Sequence, residues 1–177
     1  MQRIFIGLLF ALLNFNLNLG NITIELIPDF LGYYFILQGL RSMRGTSPRF
    51  DQCIPFCNGM FIYCLILFLA KLTSLTVNLG LFSYLLGWVA TAVSLFVTYC
   101  IAQGVKQLEA LCVRNLAADE LYRTWLVQAI AVIAANLLIF VPILAIVSVI
   151  IGIVGAILYL IAFNRSKNFY EQPTYYE

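Results

Sequence analysis

Polar side chains between residues 14 and 29 are the groups in this sequence best placed to do chemistry. Asn14 and Asn18 carry amides that both donate and accept hydrogen bonds, and Glu25 and Asp29 are carboxylates four residues apart. Such groups suit the binding of a polar solute, a cation or a proton. The alternative is structural: the asparagines hold an irregular backbone together, Glu25 is solvated and Asp29 favours a helix start.

Tyr33 and Gln38 follow on the helix that Asp29 is expected to begin. Each also has a structural interpretation, Tyr33 as an anchor at the membrane interface and Gln38 as a hydrogen-bonding group between helices. The candidate ligand-binding residues are Asn14, Asn18, Glu25, Asp29, Tyr33 and Gln38.

The composition indicates a membrane protein. Hydrophobic residues make up 63% of the 177 residues and charged residues 10%, so the chain has too little polar surface to cover a soluble fold. Long runs almost free of charge predict membrane-spanning helices. The net charge of +2 is too small and too scattered to indicate a nucleic-acid partner.

Signals for catalysis are missing from the sequence. It contains no histidine, no Ser/His arrangement, no Cys-x-x-Cys and no glycine-rich phosphate loop. The five cysteines form neither a disulfide framework nor a metal signature. We therefore expect no enzyme activity, no catalytic residue, no cofactor and no metal site.

Hydrophobic runs, charges and prolines divide the chain into six predicted spans. Trp125–Phe163 lacks charges over 39 residues, about 58 Å as one helix, so it must be two spans, with Pro142 suited to opening the second. The sequence thus predicts an all-α integral membrane protein, a single six-transmembrane-helix bundle over residues 1–163 with a tail at 164–177. The spans are 3–18, 28–43, 55–70, 81–102, 121–138 and 142–163.

The distribution of positive charge predicts the orientation of these spans. With the N-terminus inside, nine of the ten Lys and Arg residues fall on the inner side and only Lys71 on the outer side. We therefore expect a multi-pass protein of the cell membrane with both termini cytoplasmic. Glu25 and Asp29 then lie at the outer face.

The segment from Asn14 to Leu26 has two interpretations. In one, the first helix continues to about Leu17 and a short loop follows. In the other, a half-span is followed by a short outer-face β-hairpin over residues 14–26, because polar and apolar residues alternate on both sides of Gly20-Asn21. An exposed sheet edge cannot face lipid, so a hairpin would lie outside the membrane or against other helices.

The heptapeptide Ile27-Pro28-Asp29-Phe30-Leu31-Gly32-Tyr33 carries a family resemblance. Together with the polar stretch before it, it resembles an N-terminal signature of small, uncharacterised multi-span membrane proteins of Gram-positive bacteria. The resemblance covers about the first fifty residues and implies no particular function. Six spans in about 20 kDa also resemble, in architecture alone, the substrate-binding S-components of energy-coupling-factor vitamin transporters.

Small residues recur every fourth position on three predicted helices, which lets helices approach closely. These small-residue faces are Gly7/Ala11, Ala90/Ser94/Thr98 and Ser148/Gly152/Ala156. Two functions follow as hypotheses: binding or transport of a small polar solute or ion from the outer face, and a non-catalytic scaffold or accessory subunit. The expected partners are the lipid bilayer and, through these faces, another membrane protein or a second copy. A cavity running inward from Asp29 would favour the first function, and an exposed small-residue groove the second.

Overall fold

Six helices make up most of the fold. The structure is a computed structural model that describes residues 1–12, 16–19, 22–25, 28–72, 81–112, 115–138 and 142–171. The helices are α1 (Gln2–Leu12), α2 (Asp29–Ser42), α3 (Pro48–Leu72), α4 (Leu81–Cys112), α5 (Ala118–Leu137) and α6 (Pro142–Glu171). Two short strands, β1 (Asn16–Leu19) and β2 (Ile22–Glu25), pair antiparallel, with Asn18 opposite Thr23.

Local sequence explains several helix boundaries. Pro28 precedes α2 with an extended backbone, and Asp29 places its carboxylate in the first turn. Pro142 is the first residue of α6. In contrast, the first helix does not run over residues 3–18: α1 ends at Leu12, and β1 begins at Asn16. Asparagine favours this ending because its short amide competes for backbone hydrogen bonds.

Consecutive helices run antiparallel. Between α4 and α5, Trp125 donates to Thr98 Oγ1 at 3.1 Å and Lys106 pairs with Asp119, so later residues of one helix meet earlier residues of the other. Between α6 and α1, the Met1 amino group lies 3.6 Å from Glu171 Oε1. Contacts between α1 and α6 thus close the six helices into a ring.

Glycines allow the closest of these approaches. A Cβ atom on Gly7 would lie 2.5 Å from the Ile36 backbone nitrogen and 2.6 Å from the Gly32 carbonyl oxygen. A Cβ atom on Gly32 would likewise lie 2.7 Å from the Ala11 backbone nitrogen. The small-residue face of α1 is therefore packed against α2.

Three helices, and not the six that the sequence predicts, are long and apolar enough to cross a membrane, over Pro48–Ala70, Leu85–Cys112 and Ile146–Glu171 among the described residues. With 11 and 14 residues, α1 and α2 extend only about 16 and 21 Å, short of the roughly 30 Å hydrocarbon core. The 20 residues of α5 include three charges in its first two turns.

One end of the ring carries charged contacts and a packed interior. Lys106 bonds to Asp119 at 2.8 Å and Arg165 to Glu120 at 3.0 Å, both exposed, at the ends of α4 and α6 and the start of α5. The interior next to this end is filled by side chains that are fully buried, including Leu40, Phe50, Ile101, Leu121 and Phe163. The helix α6 continues to Glu171, well into the segment that the sequence assigns to a tail. The bundle is thus closed at its charged end.

Candidate binding cavity

A cavity of about 500 Å³ occupies the other end of the ring. All six helices line it, α1 through Ala11 and Leu12 and α6 through Ser148 and Gly152. Its polar lining comes mainly from α2, α4 and α5: Asp29, Tyr33, Thr91, Ser94, Gln128 and Asn136.

The lining residues share a position along the bundle. Those of α2, α4 and α6 belong to the first half of their helix, and those of α1, α3 and α5 to the second half. Because consecutive helices are antiparallel, these halves meet at one end, opposite the charged contacts. The orientation predicted from the sequence would put this end at the outer side of the membrane.

Gln128 is held in the lining by a close approach of α5 to α6. A Cβ atom on Gly155 would lie 3.0 Å from Gln128 Cα and 3.1 Å from its backbone nitrogen, so a larger residue would require the two helices to move apart by a few tenths of an ångström. The Gln128 side chain is 5% exposed, and its Oε1 atom is buried without a hydrogen-bond partner among the described residues. Leaving a buried amide oxygen unpaired costs about 1–3 kcal/mol.

Two other lining residues, Thr91 and Asn136, each donate one hydrogen bond to a carbonyl oxygen of their own helix. The Thr91 hydroxyl donates to the Gly87 carbonyl oxygen at 2.9 Å, and Asn136 Nδ2 donates to the Val132 carbonyl oxygen at 2.8 Å. A threonine hydroxyl has one proton, so Thr91 Oγ1 can only accept a further hydrogen bond. For Asn136, the second amide N–H remains as a donor and the amide oxygen as an acceptor.

Asp29 and Tyr33 face the cavity from successive turns of α2. Tyr33 is 6% exposed, and its hydroxyl lies close to Ser94 of α4. Asp29 is half-buried in the first turn of α2, where the helix N-terminus favours a carboxylate. Asp29 is the carboxylate among the described lining residues.

The six candidate residues of the sequence analysis do not form one cluster in the described structure. Asp29 and Tyr33 line the cavity. Gln38 lies toward the charged end, where it accepts from Arg3 at 3.2 Å and donates to Tyr34 at 2.6 Å. The side chains of Asn18, in β1, and Glu25, in β2, are outside the described residues, as is Asn14 entirely.

Sequence reasoning missed the polar groups that α4 and α5 bring to the cavity. Gln128 and Asn136 have the ordinary interpretation of hydrogen-bonding groups between helices. Thr91 is an inconspicuous hydroxyl, and Ser94 belongs to a small-residue face. No signal in the sequence alone sets these four residues apart.

The small-residue faces of α4 and α6 also point inward. Ala90, Ser94, Ser148, Gly152 and Ala156 line the cavity. Thr98 is 4% exposed, and its hydroxyl oxygen accepts a hydrogen bond from the Trp125 indole N–H. These faces and the α1 face are therefore used inside the chain, as packing contacts or as cavity wall.

Within the described residues, no group of three or more His, Cys, Asp or Glu side chains could hold a metal ion. Comparisons with protein-family models, with curated proteins and with solved structures found no match for this chain.

Proposed function

We propose that the protein binds or transports a small polar solute or ion, without catalysing a reaction, and that the solute enters the central cavity from the outer face of the cell membrane. The observation that carries the proposal is the amide oxygen of Gln128, which is buried in the wall of a cavity of about 500 Å³ and has no hydrogen-bond partner among the described residues. Ligand sites are typically concave, largely apolar, and furnished with a few convergent polar groups, and this cavity has that character.

The closed charged end supports access from one side. Fully buried side chains such as Phe50 and Leu121 fill the bundle below the cavity. A solute could therefore reach the cavity from the Asp29 end without a change in the packed half. Transport would require that half to open, whereas binding alone would not.

We further propose that all six helices lie in the membrane, with both termini cytoplasmic. In support, α1 and α2 complete the ring with α5 and the three helices long enough to cross a membrane. A reporter fused after Lys167 should give a cytoplasmic signal. An external signal would contradict the orientation.

The accessory-subunit function has less support. It requires a small-residue face open to a partner, and the faces containing Gly7, Ser94 and Gly152 are turned inward. Binding of a partner elsewhere on the bundle would remain compatible with a solute site.

Filling the cavity tests the proposal. Gly152 lines the cavity, and a Cβ atom there would lie 3.8 Å from its nearest neighbour, so Gly152→Leu should place its side chain in the cavity. The matched control is Gly87→Leu, where no atom lies within 4 Å of the added Cβ. Purified variants would be screened by thermal shift against vitamins, amino acids and cations.

A solute that stabilises the wild type and Gly87→Leu, but not Gly152→Leu, supports the proposal. Asp29→Asn should weaken the same response. If the variants changed stability without altering any solute response, the cavity would not be the binding site.

A further inference from the structure

We infer that the solute of the central cavity is amphipathic: its polar group lies in the cavity, and an alkyl chain extends from it into an apolar groove between α3 and α4. This inference rests on the proposed function and deepens it by naming the class of solute. It follows from a second cavity, which shares part of its wall with the first.

This second cavity, the α3–α4 groove, has a volume of about 270 Å³. Its described lining is apolar except for the hydroxyl group of one tyrosine, and consists of Pro55, Phe56, Gly59, Met60 and Tyr63 on α3 and Leu86, Val89, Ala90 and Val93 on α4. A polar group placed there would lose its hydration without gaining hydrogen bonds. The groove therefore suits hydrocarbon.

Gly59 shows that the space between the two helices is unfilled. Glycines in membrane helices usually mark close contacts, as Gly7 does where an added Cβ atom would lie 2.5 Å from the Ile36 backbone nitrogen. At Gly59, in contrast, no atom lies within 4 Å of an added Cβ. Nearer the charged end the gap is closed, because the rings of Phe56 and Phe96 meet edge to face with their centroids 4.6 Å apart.

The groove adjoins the central cavity. Met60, Tyr63 and Ala90 line both spaces, so these three side chains form the boundary between them. Alanine is small, and methionine is unbranched and adapts its conformation easily. A solute whose polar group occupies the cavity can therefore extend a chain into the groove when the Met60 side chain moves aside.

The open side of the groove is expected to face lipid. Both helices are long and apolar enough to cross a membrane, and Phe56 and Val89 are 45% and 60% exposed. A phospholipid chain that enters gains little, because it leaves a medium as apolar as the groove. A chain joined to a group bound in the cavity is instead held there at high effective concentration, and it leaves water when the solute binds. The occupant we expect is therefore the solute's own chain.

Chain length provides the test. With the protein in phosphatidylcholine nanodiscs, 1-alkylamines, alkanamides and alkanoates of two to eight carbons would displace the tritiated eight-carbon member of each series. Three head groups are used because the cavity lining can both donate and accept hydrogen bonds. Affinities would refer to the free aqueous concentration, measured by dialysis against empty nanodiscs. For at least one head group, the affinity should rise about three- to fourfold per methylene, which corresponds to about 0.8 kcal/mol, until the chain fills the groove.

Gly59→Leu should fill the groove. We expect it to bind the two-carbon member like the wild type, which also shows that it is folded, and to bind the eight-carbon member about tenfold more weakly or worse, because at least two methylenes are no longer buried. The control is Gly87→Leu, which has no atom within 4 Å of the added Cβ and lies outside both linings. Equal losses in the two variants, or a wild-type affinity independent of chain length, would overturn the inference.

Phe56→Ala should lengthen the groove. It removes one of the two rings that close the end of the groove, so the chain length at which the affinity stops rising should increase. An unchanged limit would show that the chain does not lie along the groove, and would also overturn the inference.

Gly152→Leu distinguishes a failure of this inference from a failure of the proposed function. It should abolish binding of every chain length, because its side chain occupies the space of the polar group. A solute that binds the wild type in the thermal-shift screen and not Gly152→Leu, with no binding of any eight-carbon tracer, would overturn the amphipathic class and leave the proposed function standing. Binding of two-carbon members that persists in Gly152→Leu would contradict the proposed function itself.

Discussion

The backbone of Gly155 lies against that of Gln128, so that a Cβ atom on Gly155 would stand 3.0 Å from Gln128 Cα. This contact sets the separation of α5 and α6 at the depth of the cavity. Real Cβ atoms rarely come so close to backbone, which cannot move aside as a flexible side chain would. The glycine thereby positions Gln128 Oε1, which is the one buried polar side-chain atom without a hydrogen-bond partner in the described part of the chain.

Enlarging Gly155 should separate α5 from α6. We expect Gly155→Leu to destabilise the protein by about 1–3 kcal/mol, the usual cost of overpacking. In a protein of this size that corresponds to a fall in melting temperature of about 2–4 °C per kcal/mol. Thermal unfolding in detergent would measure it, with Gly87→Leu as the control. Equal melting temperatures for the two variants would show that the contact does not constrain the helices.

The α1–α2 contact should be less tolerant still. At Gly7 an added Cβ would meet the Ile36 nitrogen at 2.5 Å and the Gly32 oxygen at 2.6 Å, both backbone atoms. Gly7→Ala should therefore lower the melting temperature by several degrees. Gly59→Ala should not, because no atom lies within 4 Å of a Cβ atom added there. A tolerated alanine at Gly7 would mean that α1 is not packed on α2 as described.

Much of the architecture could be read from local signals. Prolines at 28 and 142 stand at the starts of α2 and α6, and the uncharged stretch from Trp125 to Phe163 is shared by two helices. These signals are local. A proline constrains the backbone of the turn that contains it, and a charged side chain makes it unfavourable for its own segment to enter lipid.

Helix length was less predictable. Apolar residues before Asn14 predict a span to residue 18, but α1 ends at Leu12. Hydropathy measures how a segment partitions between water and lipid. The end of the helix depends instead on whether amide side chains compete for the hydrogen bonds of the helical backbone.

The cavity could be predicted only in part. Asp29 and Tyr33 stand out because they are polar at a helix start. Gln128 and Asn136 look like ordinary polar residues within a span, and their meeting with Asp29 depends on closure of the ring between α6 and α1. Closure is a property of packing between distant segments, which a single sequence does not display.

A hydrogen bond from Tyr159 should hold α6 on α4 below the cavity. Its hydroxyl is fully buried and donates to the Thr98 carbonyl oxygen at 2.9 Å. Tyr159→Phe removes this bond and should cost about 1 kcal/mol. Tyr170→Phe, at an exposed position of the same helix, should change the melting temperature little. Similar effects of the two changes would argue that the Tyr159 bond does not stabilise the bundle.

The ion pair at the charged end should make stability depend weakly on pH. Lys106 donates to Asp119 at 2.8 Å and lowers the pKa of that carboxyl below its ordinary value. A lowered folded-state pKa stabilises the protein above the unfolded-state pKa, about 3.9 for aspartate, and this contribution is lost as the pH falls through the folded-state pKa. Both side chains are exposed, so the effect should be small and weakened by 1 M salt.

The pH prediction is tested by a double-mutant cycle on the same pair. At pH 7 and low salt, Asp119→Asn should melt slightly below the wild type, and the difference should disappear well below pH 3.9. In a Lys106→Met background, Asp119→Asn should have no such pH-dependent effect, because the pair is already broken. A difference that persists in the Lys106→Met background would assign the role of Asp119 to Arg123 and to the first turn of α5, where a carboxylate favours the helix N-terminus. A difference that persists in acid would show that it does not come from the ionised carboxylate.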